Sequence, residues 1–407
     1  MDKEEIYRRR NFYLILAVTL LSVIGVPSII PVFPEMSEAL DVSRNKIGLF
    51  ITVFTLPGAF LALFLGMVTD RYGRKPILLM ALVLFGISGT ACFFFRDFEI
   101  ILVLRAFQGL GAACLGIINI TLIGDIFTGE EKARVMGYIS GSISVGTAVF
   151  PVIGGLLAVF GWYYPFLLPA LALVVAVLVY FYLNNPEPLE KPRLNNYLKN
   201  VAKSVLSKNT ITLFLLCFVS FVLLFGVLMT YMPILLKDHF GFSSTEIGVV
   251  FFFIALSAGA VASRLGFLMR HFSMKTLVLM GIGAFLTGMG LIPFAGNLWV
   301  LILLLLVTGM GQGVNIPIVF HVLTSIAPLE HRGAFMSVNS MTIRAGQTVG
   351  PLVAGVLYGL GGLSWVFWSG AIAAAVFMLY IIFFVTSFGE GDEVDPSPSY
   401  AVEMEKK

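Results

Sequence analysis

From Ile47 to Thr69 the chain carries no Asp, Glu, Lys or Arg, and from Pro76 to Phe95 it carries none again. A bilayer core is crossed by ~20 apolar residues wound as helix at ~1.5 Å rise per residue. Stretches of that kind recur at approximately 11–33, 46–68, 76–95, 99–125, 134–158 and 163–184, then at 210–236, 245–269, 275–294, 298–326, 333–358 and 363–387. Only 12% of the 407 residues are charged and 58% are hydrophobic, against about 25% charged in a typical soluble domain. The expectation is an all-α integral membrane protein of twelve transmembrane helices, with membrane lipid as its solvent. Arg8–Arg10 precede an uncharged run from Asn11 to Pro34, which is too long for a signal-peptide core and reads as an uncleaved first span. The net charge of +3 gives no footprint for nucleic acid. Cys92, Cys114 and Cys217 sit deep in apolar runs without ligand spacing, so no metal and no cofactor are expected.

Lysine and arginine orient the spans. With both termini cytoplasmic, 19 of the 26 basic residues fall on the inner side and four (Arg44, Lys46, Arg96, Lys237) on the outer side, while Arg105, Arg264 and Arg344 lie within spans. This is the pattern of a multi-pass protein of the plasma (inner) membrane. Residues 185–209 carry three prolines and five Lys or Arg and read as a cytoplasmic linker, with an interfacial helix over 194–206. The acidic stretch 388–407 reads as a disordered cytoplasmic tail.

The halves on either side of that linker repeat at an offset of 200: Gly66 faces Gly266, Lys75 faces Lys275, Gly109 and Gly111 face Gly309 and Gly311, and Met136, Gly146, Pro151, Gly155 and Gly161 face Met336, Gly346, Pro351, Gly355 and Gly361. Glycines and prolines matched at one fixed offset in three separate regions mark a duplicated unit. The expected domains are a six-helix bundle over 1–184 and a second over 210–387. Two such bundles can rock about a central cavity and expose it to each side in turn.

Three stretches concentrate the chemistry. GMVTDRYGRK places Gly66, Asp70, Arg71, Gly73, Arg74 and Lys75 in a cytoplasmic loop. Positive-inside anchoring accounts for its basic residues but not for Asp70 or the glycines. Gly66 permits close helix approach and Gly73 a tight turn. Asp70 is suited to the N-terminus of the eleventh span near Gly333 and Ala334, where the helix dipole favours an anion by about 0.3–1 kcal/mol. RAFQGLGAA puts Arg105 ~9 Å into the fourth span, a costly place for a charge. Backbone carbonyls freed where Gly25 and Pro27 weaken the first helix offer it partners. GYISGSISVGTAVFPVIGG carries Gly137, Gly146, Pro151, Gly154 and Gly155, small residues and a kink suited to close packing on the eighth span at 257–263. Gly350 and Pro351 repeat part of that device in the eleventh span.

These three stretches resemble the loop, fourth-span and fifth-span motifs of the major facilitator superfamily, within it the twelve-span drug:proton antiporter branch, over nearly the whole length. The resemblance implies the major facilitator fold of two pseudo-symmetric six-helix bundles. It also implies a latch in which Arg74 pairs with Asp125, and a part for Arg105 in proton coupling. Phe150 departs from the antiporter pattern, which has glycine there.

None of the 23 acids lies at the middle of a span. Glu35, at the outer end of the first span, is the better proton-site candidate of those nearest, a solvated loop carboxylate being the alternative. Arg344 lies ~16 Å into the eleventh span, suited to an anionic or zwitterionic substrate or to hydrogen bonding within the bundle. Gln108, Asn119, Gln312, Asn315, Asn339 and Gln347 are candidate polar neighbours on cavity helices. The chain has no Walker sequence, intramembrane carboxylate pair or Ser/His constellation, so no catalytic residue is expected. The functional expectation is a monomeric secondary carrier of a small organic molecule, most simply proton-coupled efflux of drug-like or metabolite compounds. The alternatives are a uniporter or importer of a metabolite, a carrier of an anionic lipid or sugar, and, further off, a receptor or enzyme.

Overall fold

The computed structural model describes residues 3–183, 208–326, 332–385 and 388, with the side chains at 3–8, 62–71, 208–209 and 332–334 left aside. The linker and tail expected over 185–209 and 388–407 lie almost wholly outside the described residues. In hydrocarbon each backbone N–H and C=O must find a partner within its own segment, which favours helix throughout. Among the described residues there are helices and turns but no strand. The helices are α1 (Lys3–Ile24), α2 (Phe33–Ala39), α3 (Leu49–Tyr72), α4 (Arg74–Ala91), α5 (Phe98–Ile126), α6 (Gly129–Ala158) and α7 (Leu171–Tyr182). After the linker come α8 (Lys208–Val222), α9 (Thr230–Phe240), α10 (Ser244–Ser263), α11 (Leu265–His271), α12 (Met274–Leu291), α13 (Leu298–Ile326) and α14 (Arg332–Phe384). Among the described residues, nine helical segments are long and apolar enough to cross a membrane. α14 is two limbs joined at Gly361–Gly362, where Gly362 takes a φ of +69° that a side chain would resist.

The sequence repeat is also a repeat of contacts. Gly109 of α5 abuts the carbonyl of Phe54 in α3, and Gly309 of α13 abuts the carbonyl of Ile254 in α10, 200 residues on. Gly111 meets the Ala81 carbonyl as Gly311 meets that of Gly281. Lys75 donates to the Leu183 carbonyl at 2.8 Å and Lys275 to that of Ile382 at 3.3 Å. Even the irregularities correspond. The first segment breaks between α1 and α2 at Gly25–Pro27, and the wide-turned stretch Leu223–Met229 between α8 and α9 falls at the equivalent place.

Backbone-to-backbone approach of this kind tolerates no side chain. Gly109→Val is expected to destabilise the detergent-solubilised protein by about 3 kcal/mol, the upper part of the overpacking range. Gly116→Val is its control on the same helix, since nothing lies within 4 Å of a Cβ there. Equal thermal midpoints for the two variants would contradict the packing.

Candidate functional site

Arg105 is completely buried, and its fork is occupied by its own half. Nη1 donates to the Gly25 carbonyl and to Gln108 Oε1, both at 2.7 Å, while Nε and Nη2 reach the Phe50 carbonyl at 3.3 Å. The guanidinium also lies over the Phe54 ring, 4.3 Å from its centroid. The Gly25–Pro27 break in the first segment frees the carbonyl that Arg105 takes up. The arginine therefore ties the first segment, α3 and α5 together, and no carboxylate is among these partners.

At the loop, Gly73 has a φ of +87° between α3 and α4, the left-handed region that glycine enters without strain. Arg74 is buried, forms an ion pair with Asp125 at the end of α5 and donates to the Thr121 carbonyl at 3.2 Å. Both partners belong to the first half. The side chains of Asp70 and Arg71, the surroundings of Gly66, and those of Gly333 and Ala334 lie outside the described residues.

The two halves meet along a pair of helix seams related by the same offset. In one, Gly248 of α10 rests on the Pro151 carbonyl of α6, and Gly155 rests on Ser244 and Thr245. In the other, Gly48, just before α3, rests on Pro351 of α14, and Gly355 rests on Asn45. Hydrogen bonds stitch the same end: Thr245 Oγ1 donates to the Gly155 carbonyl at 2.9 Å and Ser244 Oγ to Glu35 at 2.7 Å. Thr52 donates to the Thr348 carbonyl at 3.1 Å, and the hydroxyls of Thr55 and Thr348 are 2.8 Å apart. Arg44 pairs with Asp238 across the halves. Towards the opposite end, Gly137, Gly141 and Gly259 have open space beside them, and Ser140 and Ser144 are exposed on α6.

That arrangement corrects the expected packing of the fifth-span glycines. None of them has a residue of 257–263 among its nearest neighbours, although α6 and α10 run side by side over much of their length. Gly154 abuts the Ser28 carbonyl and Gly155 the start of α10, whereas Ser257 and Ala258 pack on Gly309 and Gly313 of their own half. Gly137 touches nothing, and Gly146 sits under the Phe150 ring. The close approach lost at Phe150 is kept at its counterpart Gly350, which meets the Val222 carbonyl and Gly226.

The sequence matches the family description Major Facilitator Superfamily over residues 15–295 and 236–401. The chain belongs to the Major Facilitator Superfamily. Among its relatives, the bacillibactin exporter of Bacillus subtilis (strain 168) is 26% identical over 399 residues, covering 94% of this chain and 98% of that protein. The class B tetracycline resistance protein of Escherichia coli is 23% identical over 94% of this chain and 98% of that one. The fold also matches a bacterial homologue of the human lysosomal transporter Spinster, solved in an inward-facing, occupied conformation, with a TM-score of 0.78 at 15% identity over 92% of this chain and 96% of that one.

In this superfamily member the polar candidates divide by location. Gln108, Asn315 and Asn339 are fully buried and Asn119 nearly so. Asn119 donates to Thr19 of α1, and Asn315 is wedged against Gly281 of α12. These four are enclosed by helix packing and do not line an open cavity, a correction to the sequence expectation. The reason is that helical periodicity places a polar residue on a helix without saying which neighbour covers it. Gln312 does line a cleft between the halves, with Ile30, Thr147, Pro151, Leu228 and Phe251. Arg344 is half-buried, with its stem against Gly58 of α3 and Nη1 3.4 Å from Gln347 Oε1. Sequence reasoning missed Arg44–Asp238 and the threonines; following the repeat to Gly48 and Gly248 would have located the seams.

Arg105→Met leaves the Gly25 and Phe50 carbonyls without their donor, at about 3 kcal/mol for two buried acceptors. The expected result is a drop of several degrees in thermal midpoint. An unchanged midpoint would show that the fork does not carry the packing.

Proposed function

We propose that the chain is a proton-coupled exporter of small organic molecules, held here closed at its outer end and open towards the cytoplasm. The observation that carries this reading is the pair of equivalent seams, sealed at the Glu35–Asp238 end and separated beside Gly137 and Gly259. Cytoplasmic termini, by the positive-inside asymmetry, make the separated end the inner one. Relatives named as exporters and resistance proteins support the outward direction. One chain contains both halves and both seams, so it acts as a monomer.

Each seam is a hinge surface, and the loop between α3 and α4 is a latch for the other state. Arg74 and Asp125 hold the loop's second half rigid, so that Asp70 can engage α14 when the inner end closes. Glu35 is the proton site. Its carboxylate accepts from Ser244 across the halves, so gaining a proton alters the outer seal directly. Arg105 acts on coupling only by fixing the first segment on which Glu35 is carried.

Proteoliposomes with an imposed pH gradient test the reading. Uphill accumulation of a dye substrate is expected to require the gradient, and flux indifferent to it would refute the proton exchange. Glu35→Gln is expected to abolish uphill accumulation while leaving downhill flux.

The outer seal has its own test. Asp238→Ala removes a partly exposed ion pair worth about 0.2–1 kcal/mol, so the balance should shift outward by up to about fivefold. Thiol labelling of Gly259→Cys reads the inner opening against a low background, since Cys92, Cys114 and Cys217 are all buried. Labelling should fall in Asp238→Ala and recover when Arg44 and Asp238 are exchanged. Unaltered labelling would remove the pair from the gate.

A further inference from the structure

The offset of 200 exposes an asymmetry between α6 and α14. On α6, Ser140, Ser144 and Thr147 follow one another at helical spacing up to Pro151; on α14 the equivalent positions are Ser340, Arg344 and Gln347, leading up to Pro351. The first face ends in small hydroxyls and the second in a cation. Arg344 follows directly on the threonine bridge of its seam, since Thr348 one turn away donates to its carbonyl at 2.8 Å and joins Thr55. Its guanidinium has five donors and, among the described residues, one hydrogen-bond acceptor, the neutral Gln347 amide at 3.4 Å. Arg105, by contrast, has its donors filled by carbonyls. No Asp or Glu of the chain lies at the middle of a span to neutralise Arg344, and an uncompensated cation at membrane depth is costly.

We propose that the carrier selects organic anions, with Arg344 receiving the anionic group. This rests on the transport reading above and names its substrate class. An oxyanion such as a carboxylate, sulfonate or phosphate accepts the guanidinium fork as bidentate hydrogen bonds, while Gln347 orients the fork through its amide oxygen. A cationic substrate would meet an unpaired positive charge with no carboxylate nearby to offset it. The shared chemistry could be supplied by a free organic anion or by the headgroup of an anionic lipid.

The test uses two probes with one body: 8-anilinonaphthalene-1-sulfonate and the neutral N-phenyl-1-naphthylamine. Each is bound to the full chain in phosphatidylcholine nanodiscs and measured against empty discs. The wild type is expected to prefer the sulfonate. Arg344→Gln should weaken sulfonate binding about tenfold, the loss of one charge-assisted contact, and leave the neutral probe unaffected. Arg344→Lys should keep part of the preference and shows that the site tolerates substitution. A wild type that prefers the neutral probe, or an Arg344→Gln variant that loses both probes equally or neither, overturns the proposal. Added phosphatidylglycerol that competes with the sulfonate only when Arg344 is present identifies lipid as the anion; no competition identifies a free one. Flux is read separately in proteoliposomes. Charge-selective binding without flux overturns the transport reading alone, and flux of neutral and cationic dyes unaltered by Arg344→Gln overturns the substrate class alone.

Discussion

Hydrocarbon gives these helices no hydrophobic reason to associate, because lipid tails are as apolar as the side chains they would replace. What holds them is backbone contact where a side chain is missing. Gly109 on the Phe54 carbonyl and Gly309 on that of Ile254 close each half, and the Gly248–Pro151 and Gly48–Pro351 contacts close one end between halves. The same type of contact thus does two jobs. Within a half it joins α5 to α3 and α4, and α13 to α10 and α12; between halves it is made beside Pro151 and Pro351.

Arg105 and Arg344 show how context divides one residue type, while Arg264, expected within a span, caps the end of α10 and is exposed. The first two sit where charge is expensive. Arg105 meets a broken helix whose Gly25 carbonyl is free, and its fork is filled. Arg344 lies within α14, and among the described residues its acceptor is Gln347 Oε1 at 3.4 Å. Burial converts the first into a structural pin; partial exposure keeps the second available.

Much of this was legible in the sequence. Uncharged runs give the spans, and the glycine and proline matches at one offset give the duplication, because both follow from constraints that act on composition or backbone. The pairing of Arg74 with Asp125 had to come from resemblance, since nothing in the spacing aims one at the other. The failures have a common cause. Asn119, Asn315 and Asn339 were assigned to the cavity from helix position alone, yet the covering neighbours, α1 and α12 for the first two, belong to other segments. Likewise the small residues at 257–263 were matched to the fifth span, when Gly309 and Gly313 of the same half already pack on Ser257 and Ala258. Tertiary partners are not written in one helix's periodicity.

The seal at the Glu35–Asp238 end is made of several weak contacts rather than one strong one. A neutral hydrogen bond contributes about 0.5–1.5 kcal/mol net, and the partly exposed Arg44–Asp238 pair less than 1 kcal/mol. Moving a two-state balance from 1:99 to 99:1 takes about 5.5 kcal/mol of differential binding. Loss of the Glu35–Ser244 bond alone is too small to invert the balance; on the proposed reading, its loss together with a tenfold preference for an anion at Arg344 gives about 3 kcal/mol, a shift of about a hundredfold. Because Arg344 stands one turn below the Thr55–Thr348 bridge, a ligand drawn to the guanidinium acts on the seam itself. On the proposed reading, proton and substrate then act on the two seams that join the same two halves, one at Glu35 and Ser244 and the other beside Thr55 and Thr348.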